Sequence, residues 1–105
     1  DDGILRLSGR FLGGDDVRVF QDRMQNLIDA GHVRIVADLG AVRLINSSSI
    51  GVLISGLQQV RKDDGNLFIA ETGKQMKNVF TVMQLERVFR FFDSVEEAVA
   101  AFGEE

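Results

Sequence analysis

The run Asn46-Ser47-Ser48-Ser49 sets one carboxamide and three hydroxyls directly ahead of the apolar periodicity that begins at Ile50. At a helix start the first amides have no partner and the dipole leaves a partial positive charge, so a hydroxyl there is placed to carry an anion. A phosphate on Ser47, or less naturally on Ser48, would add about −1.5 to −2 charges at pH 7. Such a change leaves the fold alone and reverses the character of the surface shown to a partner. Plain capping accounts for the same residues, because Asn and Ser are preferred caps whose replacement by Ala costs about 1 kcal/mol. Residue types and spacing leave both readings open.

Other chemistry lacks parts. His32 is the only histidine, next to Gly31 at the edge of a strand pattern, so a hydrolytic triad would rest on one imidazole with no local partner. A surface turn residue is the simpler reading. Zinc would find no cysteine and one histidine, and Asp63-Asp64 lacks the alternating ligands of a calcium loop. Neither Gly9-Arg10-Phe11-Leu12-Gly13-Gly14 nor Gly73-Lys74 carries the Lys-Ser/Thr pair of a phosphate-binding loop. The expectation is a binding protein, not an enzyme, with no catalytic residue, cofactor or metal.

Composition points the same way. The chain has 105 residues, 45% apolar and 27% charged, which suits one soluble domain. The net charge is −4 and no stretch gathers Lys and Arg, so nucleic acid is a poor partner. Ile50 to Leu57 is the longest apolar-leaning stretch, far short of the ~20 residues that span a bilayer. No signal peptide is visible and there is no cysteine, which makes the cytoplasm the expected compartment. Asp1 stands where an initiator Met is expected, as in a chain processed or excised from something longer.

The elements that must position the serines follow from periodicity. Ile4 to Ser8 alternates as a short strand stopped by Gly9. After Gly13-Gly14 an Asp at 15 or 16 is expected to cap a helix with the stripe Val17, Phe20, Met24, Leu27 and Ile28, ended by Gly31. Val33 to Leu39 is nearly continuous in apolar character, as in a central strand covered on both faces. Val42, Leu44 and Ile45 are expected to pack inward from a short connection. The serine helix buries Ile50, Leu53, Leu57 and Val60 and stops at Gly65. Asn66 to Ala70 is a third strand, a helix with Met76, Val79, Phe80 and Met83 on one face follows Gly73, and Val88 to Phe92 is a fourth strand. Ser94 and Glu97 have capping-box spacing ahead of a last helix that buries Val95, Ala98, Val99 and Phe102. The pattern predicts a single-domain α/β fold, a mostly parallel sheet with about four α-helices.

Val36 to Leu53 (VADLGAVRLINSSSIGVL) resembles the signature of STAS domains, the anti-sigma factor antagonist family, in which a buried strand ending near Asp-Leu leads to an Asp-Ser-Ser-Gly-Leu-Gly-Val-Leu helix start. Leu7-Ser8-Gly9, Gly65-Asn66-Leu67 and Val88 through Ala98 resemble further family segments, so the likeness covers almost the whole chain, residues 1–105. The resemblance implies a cytosolic regulator that binds an anti-sigma factor with serine-kinase activity and is switched off by phosphorylation of the motif's first serine, here Ser47. A phosphatase would reset it, and transcription would be the process controlled. Arg43, Asn46, Ser47, Ser48, Ser49 and Ile50 form the expected docking face. Asn46 stands where the motif has Asp, Ser49 where it has Gly, and Leu12 where many relatives carry an acidic residue. The alternative is therefore a STAS module that binds without being phosphorylated, in a sensory, lipid-transport or multi-subunit assembly. Relatives usually have another amino-terminal strand, which implies that this chain lacks the family's first one. Either a monomer or a dimer fits, with Phe89, Phe91 and Phe92 as candidates for an exposed apolar contact.

Overall fold

A computed structural model describes residues 3–11 and 14–104; Leu12 and Gly13 lie outside these. The elements are β1 (Gly3–Phe11), α1 (Asp15–Asp29), β2 (Arg34–Ile45), α2 (Ser47–Arg61), β3 (Asn66–Ala70), α3 (Lys74–Val82), β4 (Phe91–Phe92) and α4 (Val95–Gly103), with a 3-10 turn at Leu85–Arg87. The four strands form one parallel sheet in the order β1-β2-β3-β4. Sequential parallel order needs a crossover after each strand, and crossovers of one hand place α1, α2 and α3 on the same face. Burial follows that rule.

Along β2 and β3 side chains alternate between two cores. Ile35, Ala37, Leu39, Leu67 and Ile69 pack with Phe20 and Met24 of α1, with Ile50, Leu53, Leu57 and Val60 of α2, and with Met76 and Phe80 of α3. Val36, Phe68 and Ala70 point the other way, where α4 covers them with Ala98, Ala101 and Phe102. Phe68 and Phe102 stack with centroids 3.9 Å apart. Arg34 donates to the Phe102 carbonyl and ties the end of α4 to β2.

Two glycines set the turns that return the chain to the sheet. Gly31 has φ +90, and the amides of Gly31 and His32 close on the carbonyls of Ile28 and Leu27, the paired bonds that end a helix with a left-handed residue. At Gly65 an added Cβ would sit 2.0 Å from the Val33 carbonyl oxygen, so no other residue fits.

Four expectations are corrected. Neither Asp15 nor Asp16 caps α1: its N-cap is Gly14, with no side-chain cap, and both aspartates lie inside the first turn where the dipole favours them. The central strand does not stop at Leu39 but runs to Ile45. The fourth strand is only Phe91–Phe92, because the amides of Val88 and Phe89 are taken by the Leu85 carbonyl in a turn and cannot join a ladder. Phe89 is buried and Phe91 and Phe92 are half-buried, so these rings belong to the cores and are not an exposed dimer contact.

Candidate functional site

The far half of β2 carries the chain to the serines by a path that alternation alone does not foresee. Pairing with β1 advances from Arg6↔Asp38 to Ser8↔Ala41 and from Gly9↔Val42 to Arg10↔Leu44, so β2 supplies one extra residue at each shift. Such bulges bend a strand and re-aim its side chains. The second leaves Arg43 unmatched and exposed, keeps Val42 buried, and turns Leu44 outward at 49% exposure. Leu44 thus corrects the inward packing expected of it; Ile45 is half-buried against the core.

Asn46 then sits extended, φ −128 and ψ 177, as the N-cap of α2. Its Oδ1 accepts from the Ser49 amide at 3.0 Å and from the Ser49 hydroxyl at 3.0 Å, while its carbonyl accepts from the Ile50 amide. One side chain therefore fixes the first turn and satisfies a buried hydroxyl. The consequence sorts the serines: Ser47 and Ser48 are exposed, whereas Ser49 is 0% exposed. Ile50, at 1%, anchors the turn in the core. Ser49 and Ile50 are accordingly removed from the expected docking face, since a partner landing on this surface meets neither. Arg43, Ser47 and Ser48 remain on it, with Asn46 half-buried beneath.

The same surface has an apolar flank. Arg43, Leu44 and Ile45 share a shallow groove with Met76 and Val79 of α3. Beyond it Val79, Val82 and Met83 are exposed, Val82 at 81%. Val79 and Met83 were expected inside; only Met76 and Phe80 of that stripe are buried. The apolar residues of α3 span an arc of about 160° at 100° per residue, wider than a nine-residue helix at a sheet edge can bury, and that excess width is the signal in the sequence. No cluster of metal-ligating residues occurs among the described residues, and none of the described helices is long and apolar enough to cross a membrane.

A model of the STAS domain family matches residues 1–98. This chain belongs to the STAS family. Among curated relatives of this STAS domain, BtrV of Bordetella bronchiseptica, provisionally named an anti-sigma factor antagonist, is 32% identical over 75 residues, or 71% of this chain. The match spans 65% of BtrV. Solved structures share the fold. A Thermotoga maritima protein, provisionally described as an anti-sigma factor antagonist, superposes with a TM-score of 0.78 at 20% identity over 93% of this chain and 84% of that one. The anti-sigma factor antagonist SpoIIAA in its unphosphorylated form gives 0.71 at 18% identity, covering 96% and 87%. A sulfate transporter family protein of Wolinella succinogenes gives 0.74 at 16% identity, covering 94% and 82%.

Proposed function

We propose that this STAS domain is an anti-sigma factor antagonist in a partner-switching pathway. It binds an anti-sigma factor with serine-kinase activity through the exposed start of α2 and its flank, and phosphorylation of Ser47 releases that partner. The observation that carries this reading is the sorting of the serines. Ser47 is exposed at the positive end of α2, while the hydroxyl of Ser49 is consumed by Asn46. A phosphate on Ser47 gains from the helix dipole and needs no rearrangement of the core. Relatives provisionally named as antagonists support the class of partner, and the structural neighbour SpoIIAA is known in both unphosphorylated and phosphorylated forms. Action in the cytoplasm, control of transcription and resetting by a phosphatase belong to the same proposal, in which the domain binds and catalyses nothing.

The test is incubation with the kinase encoded nearest to this chain, plus ATP, read by intact mass. One added phosphate on the wild type and none on Ser47→Ala is expected, with Ser47→Asp losing the partner while its circular dichroism is unchanged. An unmodified wild type, or equal modification of Ser47→Ala, overturns the switch. One feature favours a second reading, a STAS module that binds without modification: Asn46 is a neutral cap where the motif has a carboxylate. The sulfate transporter family neighbour shows that the fold also occurs outside antagonists. That reading expects Ser47→Ala and Ser47→Asp to bind the partner alike.

A further inference from the structure

A cleft of about 320 Å³ lies between α3, the 3-10 turn and β4. Its floor is aromatic. Phe80 and Phe89 line it yet are only 1% and 3% exposed, and the Phe91 ring stands beside them with centroids 5.0 and 6.3 Å away. Its walls are charged, Lys77 and Arg90 against one carboxylate, Glu86. Arg90 is positioned by stacking, its guanidinium 5.1 Å from the ring centroids of both Phe68 and Phe92. Lys77 meets Asp93 at 3.8 Å, a long contact between exposed groups that gains little and yields to a better partner. The main chain of β4 supplies an independent observation. The Ile69 amide donates to the Arg90 carbonyl and the Glu71 amide to the Phe92 carbonyl. Alternate residues of a parallel ladder face the same neighbour, so Phe91 between them turns its N–H and C=O away from β3. The sheet ends at β4, and among the described residues no strand lies beyond it to take those groups. Side chains alternate along β4, so a cleft lined by Arg90, Phe91 and Phe92 together wraps the strand's outer edge, the side to which the Phe91 amide points.

We infer that this cleft binds a small aromatic carboxylate. The ligand's ring lies against Phe80, Phe89 and Phe91, and its carboxylate takes the Arg90 guanidinium, the Lys77 ammonium and the Phe91 amide. Two cations against one anion favour a carboxylate over an aromatic amine. The volume stands at the lower end of small-molecule pockets, which limits the ligand to about one ring with a short acid arm. The cleft uses none of Arg43, Ser47 and Ser48, so the site stands whether or not Ser47 is modified.

The test is titration of the full chain with phenylacetate, and separately with acetate and with phenethylamine, at constant pH and ionic strength, read by amide NMR. Expected are saturable shifts at the amides of Phe91 and Phe92 with phenylacetate, at a Kd of about 1–10 mM for a ligand of about ten non-hydrogen atoms. Acetate, which lacks the ring, and phenethylamine, which reverses the charge, should each bind at least about tenfold more weakly. Arg90→Gln should weaken phenylacetate binding about tenfold, the loss of a hydrogen bond between charged groups, with circular dichroism checking that the fold is kept. Lys77→Gln, at an exposed position, should weaken it about threefold. Absence of saturable shifts at these amides, equal affinity for acetate or phenethylamine, or unchanged affinity in both variants overturns the site.

Discussion

Replacing Asn46 by Ala isolates the interaction on which the serine turn depends. The substitution removes the oxygen that accepts from both the Ser49 amide and the Ser49 hydroxyl. Loss of the cap costs about 1 kcal/mol. The second loss is larger than an ordinary hydrogen bond, because Ser49 is 0% exposed and water cannot replace the carboxamide, so the stranded hydroxyl costs a further 1–3 kcal/mol or so. Together these give about 2–4 kcal/mol, a fall in Tm of roughly 10–20 °C for a domain of this size. Urea unfolding followed by circular dichroism measures the cost, and a double-mutant cycle with Ser49→Ala apportions it. With the hydroxyl gone, Asn46→Ala should cost only the cap, leaving a coupling of about 1–3 kcal/mol. A total below about 1 kcal/mol, or strictly additive effects, would refute the assignment of both bonds to one oxygen.

Substitutions at three other positions test further parts of the fold and of the docking face. Gly51→Ala, inside α2 with nothing within 4 Å of the added Cβ, should raise stability by about 0.5–1 kcal/mol in the same urea assay. If the start of α2 is the docking face, a larger residue at position 51 weakens partner binding in calorimetry without unfolding the domain. Gly65→Ala pushes a Cβ into the Val33 carbonyl and should cost about 3 kcal/mol, seen as a lower urea midpoint at unchanged slope. Phe102→Ala removes the ring stacked on Phe68 and should cost about 3–5 kcal/mol by thermal or urea unfolding.

Local signals were most legible where one element obeys one rule. The α2 stripe of Ile50, Leu53, Leu57 and Val60 is buried throughout, and β3 spans Asn66–Ala70, the bounds expected from the sequence. Ser94 accepts from the Glu97 amide as its spacing predicts. Legibility failed where tertiary pairing overrides local pattern. Gly40-Ala41 reads as a break, yet parallel pairing with β1 carries β2 through it, and the bulges change which side chains face the core. In the same way Val88 to Phe92 has strand composition, but Phe89 is buried beside Leu85 and the turn at Leu85 takes the amides. At the candidate site the helix start at Asn46 was readable from residue types. The inward fate of Ser49 and Ile50 was not, because helical phase places residues on a face only once the neighbouring sheet says which face is inside.

The unequal layering of the sheet bears on how the molecule comes apart. Three helices share the larger core, whereas α4 alone shields Val36, Phe68 and Ala70, secured by the Phe102 ring, the Arg34 contact and the Glu71 bond to its first turn. Regions held by fewer buried contacts open with a smaller free energy than global unfolding. Amide hydrogen exchange should therefore show α4 detaching as a unit while α2 keeps its protection. The serine turn would then persist in a partly opened state that bares an aromatic surface on the opposite side of the sheet.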